Sequence, residues 1–224
     1  MKSLPGRLSS RASDARAVAA KGQIRQSNEA LILAAAEHVF ASVGFAGATM
    51  AAIAASADLP KANLHYYFGS KQALYRAVLA GTLKEWLVPT YGITAQADPR
   101  LAIEGYIHAK MALALQRPDA SKVFANELLN GAPVIKTLLA TELREHVLGK
   151  AAVIEGWIAA KRMAPVDVIH LFFTIWAATQ TYADFDVQVC AVLGRSKLSP
   201  QAQRRATEHV VSFILRGCGL WSED

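Results

Sequence analysis

The sequence predicts an all-α fold, and three observations carry that prediction. Apolar residues recur at helical spacing, and no stretch shows a convincing two-residue strand period. Only eight prolines and fourteen glycines interrupt the 224 residues. A content of 53% hydrophobic and 19% charged residues describes a soluble globular chain with a large core.

The elements follow in order. Residues 1–26 hold Lys2, Arg7, Arg11, Arg16, Lys21 and Arg25 against Asp14, or 6 − 1 = +5 of the formal net charge of +6. The remaining residues carry 18 basic and 17 acidic groups, or +1. This reads as a flexible basic arm suited to phosphate or minor-groove contacts, ordering as it binds, or else as a solvated tail. A helix is expected from Ser27, with an apolar stripe through Leu31, Ala34, Ala35 and Val39 that Gly44 ends.

Residues 49–75, TMAAIAASADLPKANLHYYFGSKQALY, pack two short helices and a tight corner into one stretch. Ile53 and Ala54 are apolar, Asp58 sits where the chain must turn, and Leu64 and Phe68 lie four apart in the second segment. That reads as helix, three-residue turn, helix, the arrangement that reads DNA. Lys61, Asn63, His65 and Tyr66 are side chains suited to bases and phosphates. The alternative is an amphipathic helix whose Tyr66, Tyr67 and Phe68 fill a core.

Residues 70–88 continue as one helix, with Ser70 as N-cap and Pro89 beyond its end. Pro89, Gly92, Asp98 and Pro99 mark a boundary, so the domains expected are 1–26, 27–88 and 89–224. Residues 101–116 and 119–129 form the next helices, the second stopped by Asn130 and Gly131. Residues 133–162 are one long helix or two, with Gly149 and Gly156 as weak points. The segment opened by Pro165 is apolar nearly all round and must be covered on every side. The last helix, residues 200–217, carries Ala202, Ala206, Val210, Phe213 and Ile214 at helical spacing. Two such C-terminal helices suit a four-helix dimer interface, and a homodimer places two reading heads on a palindrome.

The order of parts resembles the TetR family of transcriptional regulators. Ala35, Ala36, Phe40, Gly44, Phe45, Thr49, Ile53, Ala54, Ala57, Leu64, Tyr66, Tyr67, Phe68, Lys71 and Leu74 carry the resemblance. It implies a homodimer that binds a palindromic double-stranded operator and answers to a small molecule, usually as a repressor. Thr49 and Lys71 then join Lys61, Asn63, His65 and Tyr66 at the DNA, with Lys71 on a phosphate. Two positions depart from the family pattern. Asp58 replaces the common turn glycine, which Asp's tolerance of left-handed backbone allows. Pro60 replaces a capping Ser or Thr, leaving that helix end ~1 kcal/mol less stable.

An enzyme has little support, because G-x-S-x-G, Walker A, G-x-G-x-x-G and H-E-x-x-H are all missing from the sequence. No catalytic residue, metal or cofactor is expected. Glu142 and His146 are i and i+4, but without a third ligand they read as a solvated charged face. Cys190 and Cys218 form no C-x-x-C pair and suit a reducing cytoplasm. The apolar run of residues 166–178 is too short and too interrupted to cross a bilayer, so no membrane partner is expected. The Arg- and Ser-rich N-terminus lacks the apolar core of a secretory signal.

Trp176 and Gln180 are i and i+4, and so share one helix face. Either Gln180 bonds nearby backbone and Trp176 is core, or the two form a small pocket. In the pocket the indole offers a flat face and the carboxamide a donor beside an acceptor, complementary to a planar lactam or imide. The stretches NELLNGAP, IEGWI, KRMAPVD and WAATQTYADFDVQV further resemble the branch of the family that governs pyrimidine utilisation and responds to uracil and thymine. By that resemblance Trp176 and Gln180 hold the pyrimidine, with Glu127, Thr179, Tyr182 and Asp184 nearby. The alternatives are a TetR-like regulator of a different ligand, whether a related purine, another nitrogen heterocycle or an unrelated apolar molecule, and an enzyme of nitrogen-heterocycle metabolism that keeps a helix-turn-helix.

Overall fold

The computed structural model describes the backbone of residues 7–221, with side chains at residue 23 and from 25 to 221. The expected arm lies largely outside the described side chains. Among the described residues every regular element is helical. The chain divides into two units, Met1–Tyr75 and Arg76–Asp224.

The first unit is built on α1 (Arg7–Gly47), α2 (Met50–Ser56), α3 (Lys61–Phe68) and the start of α4 (Lys71–Leu87). Helical backbone begins at Arg7, well before the expected start at Ser27. Gly44 interrupts α1 with φ 70°, a left-handed turn that glycine takes without penalty. Ile32, Ala36 and Phe40, each four residues apart, are buried together with Ile53, Leu64 and Leu74. Phe40 and Phe45 both meet the Tyr75 ring, at 4.9 and 4.8 Å between centroids. Residues 25–47 are long and apolar enough to cross a membrane by length and composition alone. Their buried face is instead used by this core.

The second unit continues from α4 through a 3₁₀ turn (Val88–Gly92) into α5 (Pro99–Gln116) and α6 (Pro118–Leu129). One turn, α7 (Lys136–Leu138), a π-helical turn (Leu139–Leu143) and α8 (Arg144–Ala159) follow without a break, so the 133–162 stretch is mostly one helix widened near its start. Then come α9 (Val168–Asp184), α10 (Asp186–Val192) and α11 (Pro200–Gly217). Asp98, Asp167 and Ser199 each accept a backbone N–H three residues on, capping α5, α9 and α11.

The core of this unit lies where α5 packs on α9 and α11. Tyr106, Ile107, Met111, Ile154, Trp157, Phe172 and Ile175 fill it. Trp157 donates Nε1–H to the Thr94 carbonyl at 3.2 Å, which satisfies its one polar atom.

Candidate nucleic-acid interface and effector pocket

The helix-turn-helix is assembled by α2 and α3. Thr49 caps α2, its hydroxyl accepting the Ala52 N–H at 3.0 Å. The corner runs from Ala57 to Pro60, one residue longer than expected because Pro60 caps α3 without joining it. Asp58 takes φ 52°, the left-handed value the turn demands. Pro60 makes no side-chain cap.

On α3, Leu64 is buried while Lys61, His65 and Tyr66 face outward, Tyr66 at 74% exposure. Asn63 is half-buried. Tyr66 packs edge-on against Tyr67 at 5.2 Å, and Tyr67 accepts a hydrogen bond from Asn28 at 3.2 Å. The YYF run is therefore divided: Tyr67 and Phe68 lean inward and Tyr66 is exposed. His65 bonds the Gly69 carbonyl through Nδ1 at 2.9 Å, so that nitrogen carries the hydrogen and Nε2 is left as an acceptor in the neutral ring.

Lys71 is placed differently from the rest. Its ammonium donates to the carbonyls of Phe45 at 2.7 Å and Ala48 at 2.9 Å, reaches Ala46 at 3.5 Å, and lies 4.5 Å from the Phe45 ring centre. Its donors thus close the loop between α1 and α2, whereas the family resemblance implies a phosphate contact.

In the second unit a cavity of about 140 Å³ opens among α4, α5, α6, the π turn and α9. Trp176 and Gln180 both line it from the one face of α9 that their spacing gives them, and beside them stand Trp86, Tyr106 and Lys110. Trp86 packs on Phe124 at 4.8 Å between centroids. Trp176 donates Nε1–H to the Tyr106 hydroxyl at 2.7 Å. Burial holds the Tyr106 phenol above its ordinary range, so it stays protonated and keeps a hydrogen to donate. The Gln180 carboxamide makes no hydrogen bond with the protein among the described residues, which leaves both its groups available.

Lys110 is 2% exposed and stands 4.0 Å from the centre of the Trp86 ring. Burial lowers its pKa to about 7, and the Asp184 charge opposes that shift. A signal for it was present in the sequence: Lys110 falls on the same α5 stripe as Ile103, Tyr106, Ile107, Met111 and Ala114.

The other predicted pocket residues lie around this cavity, not on its wall. Asp184 accepts from the Ser121 hydroxyl at 2.5 Å, and burial raises its pKa. Glu127 is buried and accepts the N–H groups of Val134 at 2.6 Å and Ile135 at 3.3 Å, fixing the turn after α6. Thr179 is fully buried and bonds the carbonyls of Ile175 and Trp176. Tyr182 lines a separate surface hollow with Arg195, Arg205 and His209. His146 pairs with the Thr90 hydroxyl at 2.5 Å, while Glu142 and Glu145 are exposed.

A helix-turn-helix head joined to a helical body with a largely apolar cavity that holds a few polar groups defines a ligand-responsive transcriptional regulator. Residues 32–78 match the family described as bacterial regulatory proteins, tetR family, and residues 79–221 match the YcdC-like protein, C-terminal region. The chain belongs to the TetR family. It is 40% identical over 186 residues to the HTH-type transcriptional regulator RutR of Escherichia coli strain K12, a match covering 83% of this chain and 88% of that one. RutR of Shigella flexneri matches to the same extent, 40% over 83% and 88%. Two solved structures share the fold. The TetR family regulator PfmR of Thermus thermophilus has TM-score 0.65 and 18% identity, over 86% of this chain and 96% of that one. A tetR-family regulatory protein of Rhodococcus RHA1 has TM-score 0.66 and 20% identity, over 84% and 95%.

Proposed function

We propose that this chain is a homodimeric cytoplasmic repressor that leaves its palindromic operator when a pyrimidine such as uracil or thymine enters the α5/α9 pocket. The observation that carries the reading is the unpaired Gln180 carboxamide beside the Trp176 indole in a cavity of about 140 Å³. An apolar cavity of about 150 Å³ admits one benzene ring. The volume therefore suits a single six-membered ring and disfavours a two-ring purine. The resemblance to the pyrimidine-responsive branch supports the same choice.

At the DNA, Lys61, Asn63, His65 and Tyr66 make the contacts, and Thr49 and Lys71 act by fixing the ends of the loop beside them. α4 supplies Leu83, Trp86 and Leu87 to the pocket wall and Lys71 to the head, so a ring that displaces α4 changes the spacing of two heads on a palindrome. A ligand that prefers the non-binding state by ~3 kcal/mol lowers operator affinity about a hundredfold.

The test is Gln180→Leu, which keeps the volume and removes both the donor and the acceptor. Each unpaired polar group costs about 1 to 3 kcal/mol, so uracil binding weakens at least tenfold while DNA binding persists. Fluorescence anisotropy of labelled operator, selected by the protein from a randomised duplex pool, reads release by uracil in both proteins. Equal release removes Gln180 from the site, and release of neither sinks the pyrimidine assignment. Recovery of unchanged uracil after incubation separates a sensor from an enzyme.

A further inference from the structure

Lys110 is costly where it stands. A methionine or leucine at that position of α5 would fill the same space without desolvating a charge. The ammonium has only the Trp86 ring face, at 4.0 Å, for close company. Among the described residues no protein oxygen accepts a hydrogen bond from it. The nearest carboxylate that acts on it, Asp184, is itself bonded to the Ser121 hydroxyl and shares its field with Lys122. The ammonium opens on the same cavity as Gln180 and Tyr106.

The groups that face this cavity are unbalanced. Among the described lining residues, Lys110, the Tyr106 hydroxyl and the Gln180 amide can donate, while the Tyr106 oxygen already accepts from Trp176 and the Gln180 oxygen is the acceptor without a protein partner. A ring that completes the site brings two electron-rich oxygens and one N–H between them. Since Lys110 in its charged form has no carboxylate within salt-bridge distance among the described residues, Asp184 acting on it only from farther off, the favoured ring is one that carries negative charge on those oxygens most readily.

We infer that Lys110 makes the pocket select for the acidity of the ring N–H, so that among imide heterocycles of one size the most easily ionised binds tightest. This rests on the pyrimidine reading of the pocket and adds a rule of preference to it. The Gln180 carboxamide recognises the carbonyl and N–H edge, and Lys110 stabilises the charge that accumulates on the flanking oxygens.

The experiment is isothermal titration of the full-length protein with 5-fluorouracil, uracil and 5,6-dihydrouracil. The three rings share one size and one edge and fall in that order of N–H acidity. In the wild type the dissociation constants should rise in the same order, spanning about tenfold or more, as a charged partner exceeds a neutral one. Lys110→Met and Lys110→Gln should bind all three within about threefold of one another, with unchanged helical circular dichroism. The Gln variant keeps a polar group there should the Met variant misfold. An undiminished ranking in the folded variants overturns the inference, as does a wild type that binds all three alike. Those outcomes leave the pyrimidine reading in place, whereas a wild type that binds none of the rings overturns both.

Discussion

Lys110 also carries a pH-dependent cost that the fold must bear. In the unfolded chain the amine titrates at its ordinary 10.5, and in the folded chain at about 7. Between those values the unfolded state binds the extra proton. Stability is therefore lost as pH falls from about 10.5 to about 7 and stays at the lower level below that. Lys110→Met should be more stable than the wild type by roughly 2 to 4 kcal/mol at pH 7, the gain shrinking as pH rises toward 10. Urea denaturation of both proteins at pH 6.5, 8 and 9.5 checks this, and a gain constant with pH would mean that charge burial is not its source. The Trp176 and Gln180 pair was legible in the sequence because i and i+4 residues share a face whatever surrounds the helix. The place of Lys110 on the apolar stripe of α5 was legible too, but its role and that of Trp86 were not, because these depend on which helix covers them. A lysine within a helical pattern reads as solvated until the partner elements are placed. Glu127 and Thr179 show the reverse: their polar atoms meet backbone groups that only the folded turn and helix bring near.

At the scale of elements, α3 is the proposed reading helix, and its outward face is thinly populated. Lys61→Ala and Tyr66→Ala should each weaken operator binding by about 1 kcal/mol or more, the worth of a single base or phosphate interaction, without altering the dimer. Anisotropy titrations with sedimentation controls measure both quantities, and wild-type affinity in the two variants would move the DNA surface off α3. The start of α4 was legible because Ser70 announces itself locally as a cap and bonds the Ala73 N–H, whereas α5 and α9, expected from Leu101 and Pro165, begin at Pro99 and Val168 under the caps Asp98 and Asp167, and Ser199 caps α11 in the same way. The π turn at Leu139–Leu143 was not legible. An extra residue in a helical turn leaves the apolar pattern almost intact and arises from packing: Leu139 and Leu143 both face the pocket.

Across the whole molecule, α9 and α11 leave an apolar surface uncovered within one chain. Phe213 is 64% exposed beside Ala178, Thr181 and Tyr182, and Phe173 is half exposed on α9. We propose this as the face for a second copy, since patches of this kind mark interfaces. Phe213→Asp should yield a monomer in sedimentation velocity and lose palindromic operator binding, while keeping its melting cooperativity. A dimer that persists would place the interface elsewhere. Deleting residues 1–26 should flatten the log-log salt dependence of DNA binding by ~0.9 for each phosphate the segment had neutralised, and an unchanged slope makes the segment a bystander. The fold class was legible because helical periodicity runs through nearly every segment. Assembly was legible only as a surplus of apolar surface, since one chain's sequence records what must be covered and not by which copy.

The pairing of Trp86 with Lys110 and of Trp176 with Tyr106 has an optical consequence. Two of the chain's four tryptophans border the cavity, while Trp157 lies in the core and the half-buried Trp221 packs against it. Any ring that enters must come against one indole and redistribute charge near the other. The protein thus holds its own reporter of occupancy. If a ring fills the pocket as proposed, intrinsic emission should change, with Trp157 and Trp221 supplying the background, and Trp176→Phe and Trp86→Phe should divide the signal between the two walls; emission unchanged on saturating ligand would place the ring elsewhere. Effector binding becomes visible without DNA, label or turnover.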